Sequence, residues 1–250
     1  MRSAIRRVAS AALDALCPER CAACGVVVAT HDLFCHACRD AVNVLGPPEC
    51  ERCGRPLAVG AACAPCVLED GAIRQARAFA RYETGVVGHP VARALHAFKY
   101  AGTWRFAARL AAAMLTRVPA TQAAGAPLVV PVPLHPARLR ARGYNQSAML
   151  ARHIARARRW PIVLTLLVRT RDTPSQTALT AAARRANVAD AFAVRHPGAA
   201  RERAILLVDD VWTSGATAHA AVAALRRDGA RVVDVLTFAR VADPRYETGT

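Results

Sequence analysis

Residues 205–217 read ILLVDDVWTSGAT, an apolar run followed by two acids and a turn of small and hydroxyl-bearing residues. Ile205 to Val208 have the β-branched and leucine-rich composition of a strand that is buried in a parallel sheet. Asp209 and Asp210 stand where that strand is expected to end, and open α/β sheets bind their ligands at this carboxyl edge. The sequence therefore predicts a buried parallel strand with a ligand site at its end.

The turn that follows the two acids has the composition of a phosphate-binding turn. Thr213, Ser214 and Thr217 supply hydroxyls, and a helical pattern follows over 218–227. Free backbone N–H groups and the helix dipole attract a phosphate at such a helix N-terminus. The paired carboxylates suit a sugar diol, a Mg²⁺ ion or both. The plain alternative is an ordinary strand-to-helix turn with exposed acids.

Strands and helices alternate along most of the chain. Strand patterns cover 78–82, 128–134, 162–168, 204–209 and 231–238, and helical patterns cover 85–100, 104–117, 146–159 and 216–228. Such alternation predicts an α/β domain with a mostly parallel sheet that is flanked by helices. Pro131 and Pro133 indicate that their strand ends there, and this end is expected beside Asp209. The polar and basic segment 169–192 is a candidate lid over the site.

Positive charge is concentrated in the C-terminal part of the chain. The formal net charge is +16; residues 71–250 carry 27 basic and 10 acidic side chains, whereas residues 1–70 carry 7 arginines and 8 acids. Residues 137–185 hold 11 arginines and a single acid, Asp172. Such a patch attracts phosphates, from small metabolites to nucleic acid. Lys99 is the only lysine, however, and arginine is common throughout, so charge alone leaves nucleic-acid binding open.

Four C-x-x-C pairs lie within residues 17–66, which hold all nine cysteines. Each pair has the spacing of a zinc knuckle, and two knuckles complete a tetrahedral Cys₄ site. A disulfide framework or a redox pair fits this fourfold repeat less well. The predicted metal ligands are Cys21, Cys24, Cys35, Cys38, Cys50, Cys53, Cys63 and Cys66.

The spacing leaves open whether one or two zinc ions bind and which knuckles pair. The knuckles could combine in sequential or in cross-braced order, and Cys17 is a spare thiol. Such sites keep no coordination position for a substrate, so the zinc is structural; its binding supplies about 10–16 kcal/mol per site in small zinc modules. We expect residues 1–70 to form a cysteine-rich zinc-binding module, double zinc-ribbon-like, and residues 71–250 to form the α/β domain.

The sequence shows neither a membrane span nor a secretion signal. No apolar run approaches the roughly 18–20 residues that cross a bilayer. The basic segment at residues 1–18 is interrupted by Asp14, which favours a short helix over a signal peptide. Hydrophobic residues make up 54% of the chain, which is enough for a folded core. We therefore expect a folded protein of the cytoplasm.

The motif LLVDDVWTSGAT at 206–217 resembles the phosphoribosyl-pyrophosphate (PRPP) motif of type I phosphoribosyltransferases. Together with the C-x-x-C pairs, FKYAG at 98–102, PVPLHPARLRARGYNQ at 131–146 and RTRDTPSQTALTAAARRANV at 169–188, it makes nearly the whole chain similar to the ComF family. These competence-associated proteins join a cysteine module to a phosphoribosyltransferase-like domain. The resemblance implies that fold and a role in the uptake of single-stranded DNA during natural transformation, beside a helicase-like partner.

The resemblance also implies roles for individual residues. Asp209 and Asp210 are expected to hold the ribose hydroxyls of Mg²⁺-bound PRPP as the catalytic pair, and residues 131–134 correspond to the pyrophosphate loop of the transferases. The residues expected to bind the phosphates are Thr213, Ser214, Gly215, Ala216, Thr217, Arg138 and Arg142. The residues with a candidate role in nucleic-acid binding or lid closure are Lys99, Arg140, Asn145, Gln146, Arg169, Gln176 and Arg184.

Two classes of function are compatible with these features. The first is a PRPP-binding protein that acts in DNA uptake and binds single-stranded DNA, although aromatic residues for base stacking make up only 5% of the chain. The second is an active phosphoribosyltransferase that acts on an unidentified small acceptor and has no role with DNA. No segment for nucleobase recognition can be identified in the sequence, so the question of enzymatic activity stays open.

Overall fold

The computed structural model describes residues 18–58, 63, 66, 72–100, 104–119, 125–171 and 190–241. The strands in this part of the chain are β1 (Ala76–Tyr82), β2 (Leu128–Pro131), β3 (Leu167–Arg169), β4 (Phe192–Val194), β5 (Ala204–Trp212) and β6 (Val232–Val241). The helices are α1 (His36–Asp40), α2 (Pro90–Tyr100), α3 (Ala107–Leu115), α4 (Pro136–Arg142), α5 (Gln146–Arg158) and α6 (Ala216–Arg227), with a 3-10 turn (Trp104–Phe106) before α3. Among these described helices, none has the length and apolar character that a membrane crossing requires.

Four strands form the central sheet, in the order β1–β6–β5–β2. Every neighbouring pair is parallel, which confirms the expected mostly parallel sheet. Ile162 adds a single parallel bridge to Val129 at the outer edge of β2. β3 and β4 form a separate antiparallel pair.

Helices cover both faces of the central sheet, as the sequence predicts. Leu206 and Val208 of β5 pack in one cluster with α2, α3 and α5. Ile205 and Leu207 pack in a second cluster with α6 and the β3–β4 pair. Because side chains alternate between the faces of a strand, this division confirms that 205–208 is a strand buried on both sides.

All five predicted strands have different bounds in the structure: 78–82 is Ala76–Tyr82, 128–134 is Leu128–Pro131 and 231–238 is Val232–Val241. The other two differences have a clear structural cause. β5 continues to Trp212 instead of ending at the first acid. The cause is β6, which runs alongside β5 far enough to pair Trp212 with Arg240. The strand predicted over 162–168 is split, because Ile162 bridges to β2 while the last residues begin β3.

Two predicted helices are shorter than their sequence patterns by more than one residue. The helix expected over 85–100 begins at Pro90, since proline is favoured in the first turn and disfavoured further along. The helix expected over 104–117 begins as the 3-10 turn and ends at Leu115.

The cysteine-rich segment covers the free edge of β1. Val44 forms an antiparallel bridge with Ala80, and the Leu45 N–H donates to the Phe79 carbonyl over 2.9 Å. An uncovered edge strand would expose a row of unpaired N–H and C=O groups. The segment therefore takes the place of a further strand on this side of the sheet.

Buried contacts hold this segment against the α/β domain, among them those of Gly54 and Arg109. Gly54 has a φ of +67°, and a Cβ there would lie 2.4 Å from the Ala76 carbonyl oxygen, so only glycine permits the approach to β1. Arg109 of α3 is buried, donates to the carbonyl oxygens of Asp32 and Arg20, and lies 2.8 Å from Glu19. The guanidinium suits this role because it offers several donors in one plane.

Candidate functional site

The two adjacent aspartates lie at the carboxyl edge of the sheet, near the end of β5. Ser147 Oγ, in the first turn of α5, donates to Asp209 Oδ1 over 2.7 Å. The backbone N–H of Asp210 donates to the same oxygen over 2.9 Å. Both aspartates are half-buried. Two donors therefore hold one carboxylate oxygen of Asp209, and the residue keeps part of its surface exposed.

β2 ends beside the aspartates, where the sequence predicts its end. The Val132 N–H donates to the Val208 carbonyl over 2.9 Å, and Pro133 has no N–H with which to continue the ladder. Asn145 caps α5 by accepting from the Ala148 N–H over 3.3 Å, and its Nδ2 donates to the Val132 carbonyl over 3.0 Å. The side chain of Asn145 thus joins the start of α5 to the end of β2.

Asp209 titrates in an unusual range. Burial and then the neighbouring carboxylate of Asp210 raise the pKa of Asp209 to about 7. The hydrogen bonds from Ser147 and from the backbone of Asp210, and the charge of Lys99, act in the opposite direction but do not compensate. Near neutral pH this group exchanges between acid and carboxylate, and a cation bound beside it favours the carboxylate.

Lys99 pairs with the second aspartate. Its Nζ lies 2.8 Å from Asp210 Oδ2, at the last turn of α2. Burial acts to lower the pKa of Lys99, but the charges of Asp210 and Asp209 outweigh it, so the pKa lies above its ordinary value. The structure therefore brings into the aspartate site a residue for which the sequence indicated a role in nucleic-acid binding or lid closure.

Gly215 shapes the turn between β5 and α6. It is the N-cap residue of α6, and its φ of +79° lies in the left-handed region. A Cβ at this position would lie 2.7 Å from the ring of Trp212. Ser214 Oγ accepts from the Ala216 N–H over a long 3.4 Å. The turn thus leaves the first N–H groups of α6 at the kind of position that binds phosphate.

A small pocket joins the turn to the edge of the sheet. Thr213 is exposed, Ser214 and Thr217 are half-buried, and Ala216 is buried. The residues that line the pocket are Asp209, Val211, Trp212, Thr213, Gly215, Thr217, Ala218 and Thr237. The structure thus brings the first aspartate and three of the five predicted turn residues together around one space.

Arg142 belongs to the surroundings of the aspartate site. It ends α4, donates to Gln146 Oε1 over 2.9 Å, and its guanidinium carbon lies 5.1 Å from the ring centre of Tyr100. The charge of Arg142 also acts on Lys99, next to Tyr100 in α2. Two further predicted residues, Arg142 and Gln146, therefore lie close to the ion pair of Lys99.

The other predicted residues do not share this space. Arg138 and Arg140 lie on α4, the first half-buried and the second exposed. Arg169 lies in β3, on the separate two-stranded sheet, where its guanidinium packs over an aromatic ring of β4. Gln176 and Arg184, with most of the candidate lid, fall outside the described residues.

Three contributors to the site were missed by sequence reasoning. Ser147 lies 62 positions from Asp209, and Thr237 approaches it from β6, so no local pattern connects them. Trp212 lies inside the motif. Its position three residues before Gly215 was the one feature of the sequence that could have indicated its contact with the turn. A glycine three residues after an aromatic side chain permits the turn to fold against the ring.

The eight described cysteines form two separate clusters. The first contains Cys21, Cys24, Cys35 and Cys38, and the second contains Cys50, Cys53, Cys63 and Cys66. The four sulfur atoms of each cluster lie within 4.8 Å of one another. The knuckles therefore combine in sequential order, not in the cross-braced order, and the chain has two complete Cys₄ sites.

The distances within the clusters fit zinc. The sulfur–sulfur separations are 3.7 Å for Cys24–Cys35, 3.7 Å for Cys50–Cys66 and 3.6 Å for Cys53–Cys63. A tetrahedral site with zinc–sulfur bonds of about 2.3 Å has sulfur–sulfur edges of about 3.8 Å. A disulfide bond, by contrast, is about 2.05 Å long. The two clusters are thus structural zinc sites, as predicted.

Backbone donors favour the thiolate at one of these ligands. Burial acts to raise the pKa of Cys21, but N–H groups of Cys24, Cys35 and Ala23 bring it down to about 6. The thiolate is the form that binds zinc.

Comparison with known proteins agrees with these features. The profile of the double zinc ribbon domain matches residues 12–67. The DNA utilization protein YhgH of Escherichia coli K12 is 28% identical over 229 residues, which cover 89% of this chain and 97% of that protein. Competence protein F of Haemophilus influenzae is 34% identical over 113 residues, which cover 45% of this chain and 49%, about half, of that protein.

Solved structures show weaker similarity. The glutamine PRPP amidotransferase from B. subtilis, complexed with ADP and GMP, is 23% identical with a TM-score of 0.37, over 56% of this chain and 30% of that chain. TT1426 from Thermus thermophilus is 19% identical with a TM-score of 0.32, over 59% of this chain and 90% of that chain. From its sequence relatives, the chain is a homologue of Competence protein F and of the YhgH DNA utilization proteins, as its resemblance to the ComF family implied, and it carries a double zinc ribbon domain.

Proposed function

We propose that the chain binds Mg²⁺–PRPP at the carboxyl edge of β5 and acts in the handling of single-stranded DNA. The observation that carries the first part is the pocket in which Asp209 meets the hydroxyl-lined turn before α6. A phosphorylated sugar presents two kinds of group, a diol and a phosphate. Carboxylates bind the first, alone or with a metal ion, and the N-terminus of a helix binds the second.

In this proposal, the 5′-phosphate of PRPP occupies the turn over 213–217. Gly215 keeps the backbone N–H groups accessible, because it has no side chain and its φ of +79° turns the chain sharply into α6. Thr213 and Thr217 line the same pocket and offer hydroxyl donors. The phosphate thus meets both backbone and side-chain donors.

The two aspartates hold the ribose hydroxyls and Mg²⁺. Lys99 lies 2.8 Å from Asp210 and keeps its carboxylate in place, while its positive charge favours a nearby phosphate oxygen. Asp209, with its pKa near 7, becomes fully ionised when a cation binds beside it. Magnesium, when bound there, would offset part of the negative charge of the pyrophosphate group.

Arginines of α4 and the loop after β2 receive the pyrophosphate. The last residue of β2, Pro131, pairs with Val208 of β5. The loop over 131–134 therefore starts at the edge of the sheet where the aspartates lie. Arg142 is held by Gln146 and by the ring of Tyr100, and guanidinium groups bind phosphate oxygens in pairs. Arg138, on the same helix, is the second candidate.

Calorimetry with PRPP in the presence and absence of Mg²⁺ tests this part of the proposal. We expect binding that depends on Mg²⁺, and we expect ribose 5-phosphate and pyrophosphate to bind more weakly and to compete with PRPP. Each fragment occupies only part of the site. PRPP affinity that is unchanged by Mg²⁺, and that neither fragment reduces, would contradict the assignment.

The second part of the proposal concerns DNA. Its support is the names of the relatives, Competence protein F and DNA utilization protein YhgH, and the 11 arginines of residues 137–185. Among these, Arg140 is exposed on α4, and Arg169 lies half-buried in β3. We propose both as residues that contact a phosphate backbone. Gln176 and Arg184 are further candidates. A helicase-like competence protein is the partner that we propose, and the cytoplasm is the place of action.

Salt dependence tests contact with single-stranded DNA. If several arginines neutralise phosphates, the affinity for an oligonucleotide falls steeply between about 50 and 200 mM salt. Arg140→Gln should reduce both the affinity and the slope, whereas Arg39→Gln, at an exposed position in the cysteine-rich segment, serves as the charge-matched control. A flat salt response, or equal effects of the two variants, would remove the nucleic-acid proposal.

The place of Asp209 in the pocket supports a second candidate function, phosphoribosyl transfer to a small acceptor. In that reaction the acceptor forms a bond to C1 of the ribose, the bond from C1 to pyrophosphate breaks, and pyrophosphate leaves with the electron pair. A base takes the proton of the acceptor, and the carboxylate of Asp209, which lines the pocket, is the candidate for this role. Pyrophosphate release from PRPP with candidate nucleobases, present in the wild type and absent in Asp209→Asn, would establish turnover. No release with any acceptor would leave binding alone.

A further inference from the structure

The second Cys₄ cluster is joined to the proposed phosphate turn by one buried side chain. Arg240, near the end of β6, is 6% exposed, and its Nη1 donates to the Cys53 carbonyl oxygen over 2.7 Å. Cys53 is a member of the second cluster, with Cys50, Cys63 and Cys66. The guanidinium carbon of Arg240 lies 5.0 Å from the ring centre of Trp212, its neighbour across β5 and β6.

Trp212 continues this connection to the turn itself. It is 8% exposed and lines the pocket with Thr213 and Thr217. Its ring lies so close to Gly215 that a Cβ there would be 2.7 Å away, and its edge approaches His219 in the first turn of α6 at 5.7 Å between ring centres. The position of the indole ring therefore determines how the turn can fold.

We infer that Arg240 is a positioning residue through which the second Cys₄ site stabilises the phosphate turn. Metal at this site fixes the Cys50–Cys53 knuckle and with it the Cys53 carbonyl. That carbonyl orients the guanidinium of Arg240, which in turn supports the indole of Trp212 across the 5.0 Å between its carbon and the ring centre. The planar guanidinium suits both contacts, because it donates in its plane and stacks on an aromatic ring with its flat surface.

The first Cys₄ site offers a matched comparison. Arg109 holds that half of the cysteine-rich segment by the same kind of bond, to the Asp32 and Arg20 carbonyls, and its guanidinium carbon lies 5.1 Å from the ring centre of Phe106. Arg109 and Arg240 are equally buried, at 7% and 6% exposure. The contacts of Arg109, however, lead to α3 and not to Trp212.

The inference rests on the proposed binding of phosphate at this turn, so its test includes a signal that needs no ligand. The chain has three tryptophans, and Trp104→Phe with Trp160→Phe leaves Trp212 as the only indole. In this background, Arg240→Met and Arg109→Met are compared by zinc content, Trp212 emission, quenching by iodide, and affinity for Mg²⁺–PRPP. We expect Arg240→Met to shift the emission to the red, to increase quenching and to weaken PRPP binding at least tenfold. Arg109→Met should change none of these.

Removal of metal is the second arm of the test. Cys63→Ser removes a ligand of the second site and Cys24→Ser a ligand of the first, and zinc analysis confirms the loss of one ion in each. We expect only Cys63→Ser to change Trp212 emission. Equal responses of Trp212 to the two cysteine variants, or to the two arginine variants, would overturn the inference, as would an unchanged emission in Arg240→Met. If Trp212 responds as expected while the wild type fails to bind PRPP, the positioning role is supported and the proposed function is wrong.

Discussion

Asp209 and Asp210 are neighbours in the chain but differ in their surroundings. Asp209 accepts from Ser147 and titrates near neutral pH, whereas Asp210 lies 2.8 Å from the Nζ of Lys99. Carboxylates whose environments differ in this way can take different roles at one site. We assign the titrating role to Asp209 and the role of ion-pair partner of Lys99 to Asp210.

The titration of Asp209 makes folding stability depend on pH. Its folded-state pKa of about 7 lies above the ordinary value of 3.8, so the folded chain holds a proton that the unfolded chain releases as pH rises between these values. The free energy of unfolding therefore falls as pH rises through this window. Asp209→Asn cannot titrate and should stabilise the fold more at pH 8 than at pH 5, measured by urea unfolding. An equal effect at both pH values would contradict the assignment.

Ser147 keeps the pKa of Asp209 from rising further. Ser147→Ala removes its hydrogen bond of 2.7 Å, and bonds to charged groups contribute about 1.5–3 kcal/mol. We expect the pKa of Asp209 to rise, as measured by NMR of its carboxyl carbon, and the pH above which Mg²⁺–PRPP binds to rise with it. Ser214→Ala, whose hydroxyl bonds the local backbone, is the control and should leave the titration in place.

The aspartates are recognisable in the sequence, but the residues that surround them are not. Two adjacent acids after an apolar strand are visible in the sequence itself, and so are the hydroxyls of the turn. Ser147 reaches Asp209 across 62 positions, and the pairing of Lys99 with Asp210 likewise depends on how α2 packs on the sheet. Such contacts depend on tertiary structure and leave no local pattern.

At the scale of elements, the end of β5 was predicted too early. The motif places its acids after Val208, but β6 continues beside β5 and pairs Trp212 with Arg240. A strand ends where its partner stops pairing, and the sequence of β5 does not determine how far β6 extends. The alternation of strands and helices, which depends on local pattern, was predicted correctly.

The turn after β5 has a matched pair of glycines for its test. Gly215 and Gly143 have φ values of +79° and +81°, so alanine at either position meets the same backbone strain, about 1–3 kcal/mol. Only at Gly215 would the added Cβ also meet a neighbour, the ring of Trp212 at 2.7 Å. Gly215→Ala should therefore destabilise the chain more than Gly143→Ala in denaturant unfolding and should abolish PRPP binding. Equal losses of stability would mean that the Trp212 contact does not shape the turn.

At the scale of the whole molecule, the cysteine-rich segment and the α/β domain share contacts along β1, α3 and β6. Ala76 N–H donates to the Arg52 carbonyl over 2.7 Å, and Arg240 donates to the Cys53 carbonyl over 2.7 Å. The predicted boundary near residue 70 stays a prediction. The C-x-x-C spacing revealed the zinc ligands, but it contained nothing about which knuckles pair, because pairing depends on how the chain returns between them.

Zinc is expected to stabilise the α/β domain as well as its own module. Metal analysis should give two zinc ions per chain, and a chelator that removes both should lower the midpoint of thermal unfolding by more than about 10 °C. The reason is that zinc binding in small modules contributes about 10–16 kcal/mol per site and the contacts along β1 depend on that module. A zinc content near zero would contradict the two-site assignment. A chelator that removes zinc without changing the unfolding midpoint would contradict the stabilisation of the α/β domain.

We propose that the aspartate pair and the turn after it bind one phosphorylated sugar. Calorimetry of Mg²⁺–PRPP with wild type, with Asp209→Asn combined with Asp210→Asn, and with the control Asp228→Asn, remote from this edge at the end of α6, tests it most directly. We expect binding by the wild type and the control and a loss of at least 100-fold in the double variant. Equal affinity in all three would contradict it.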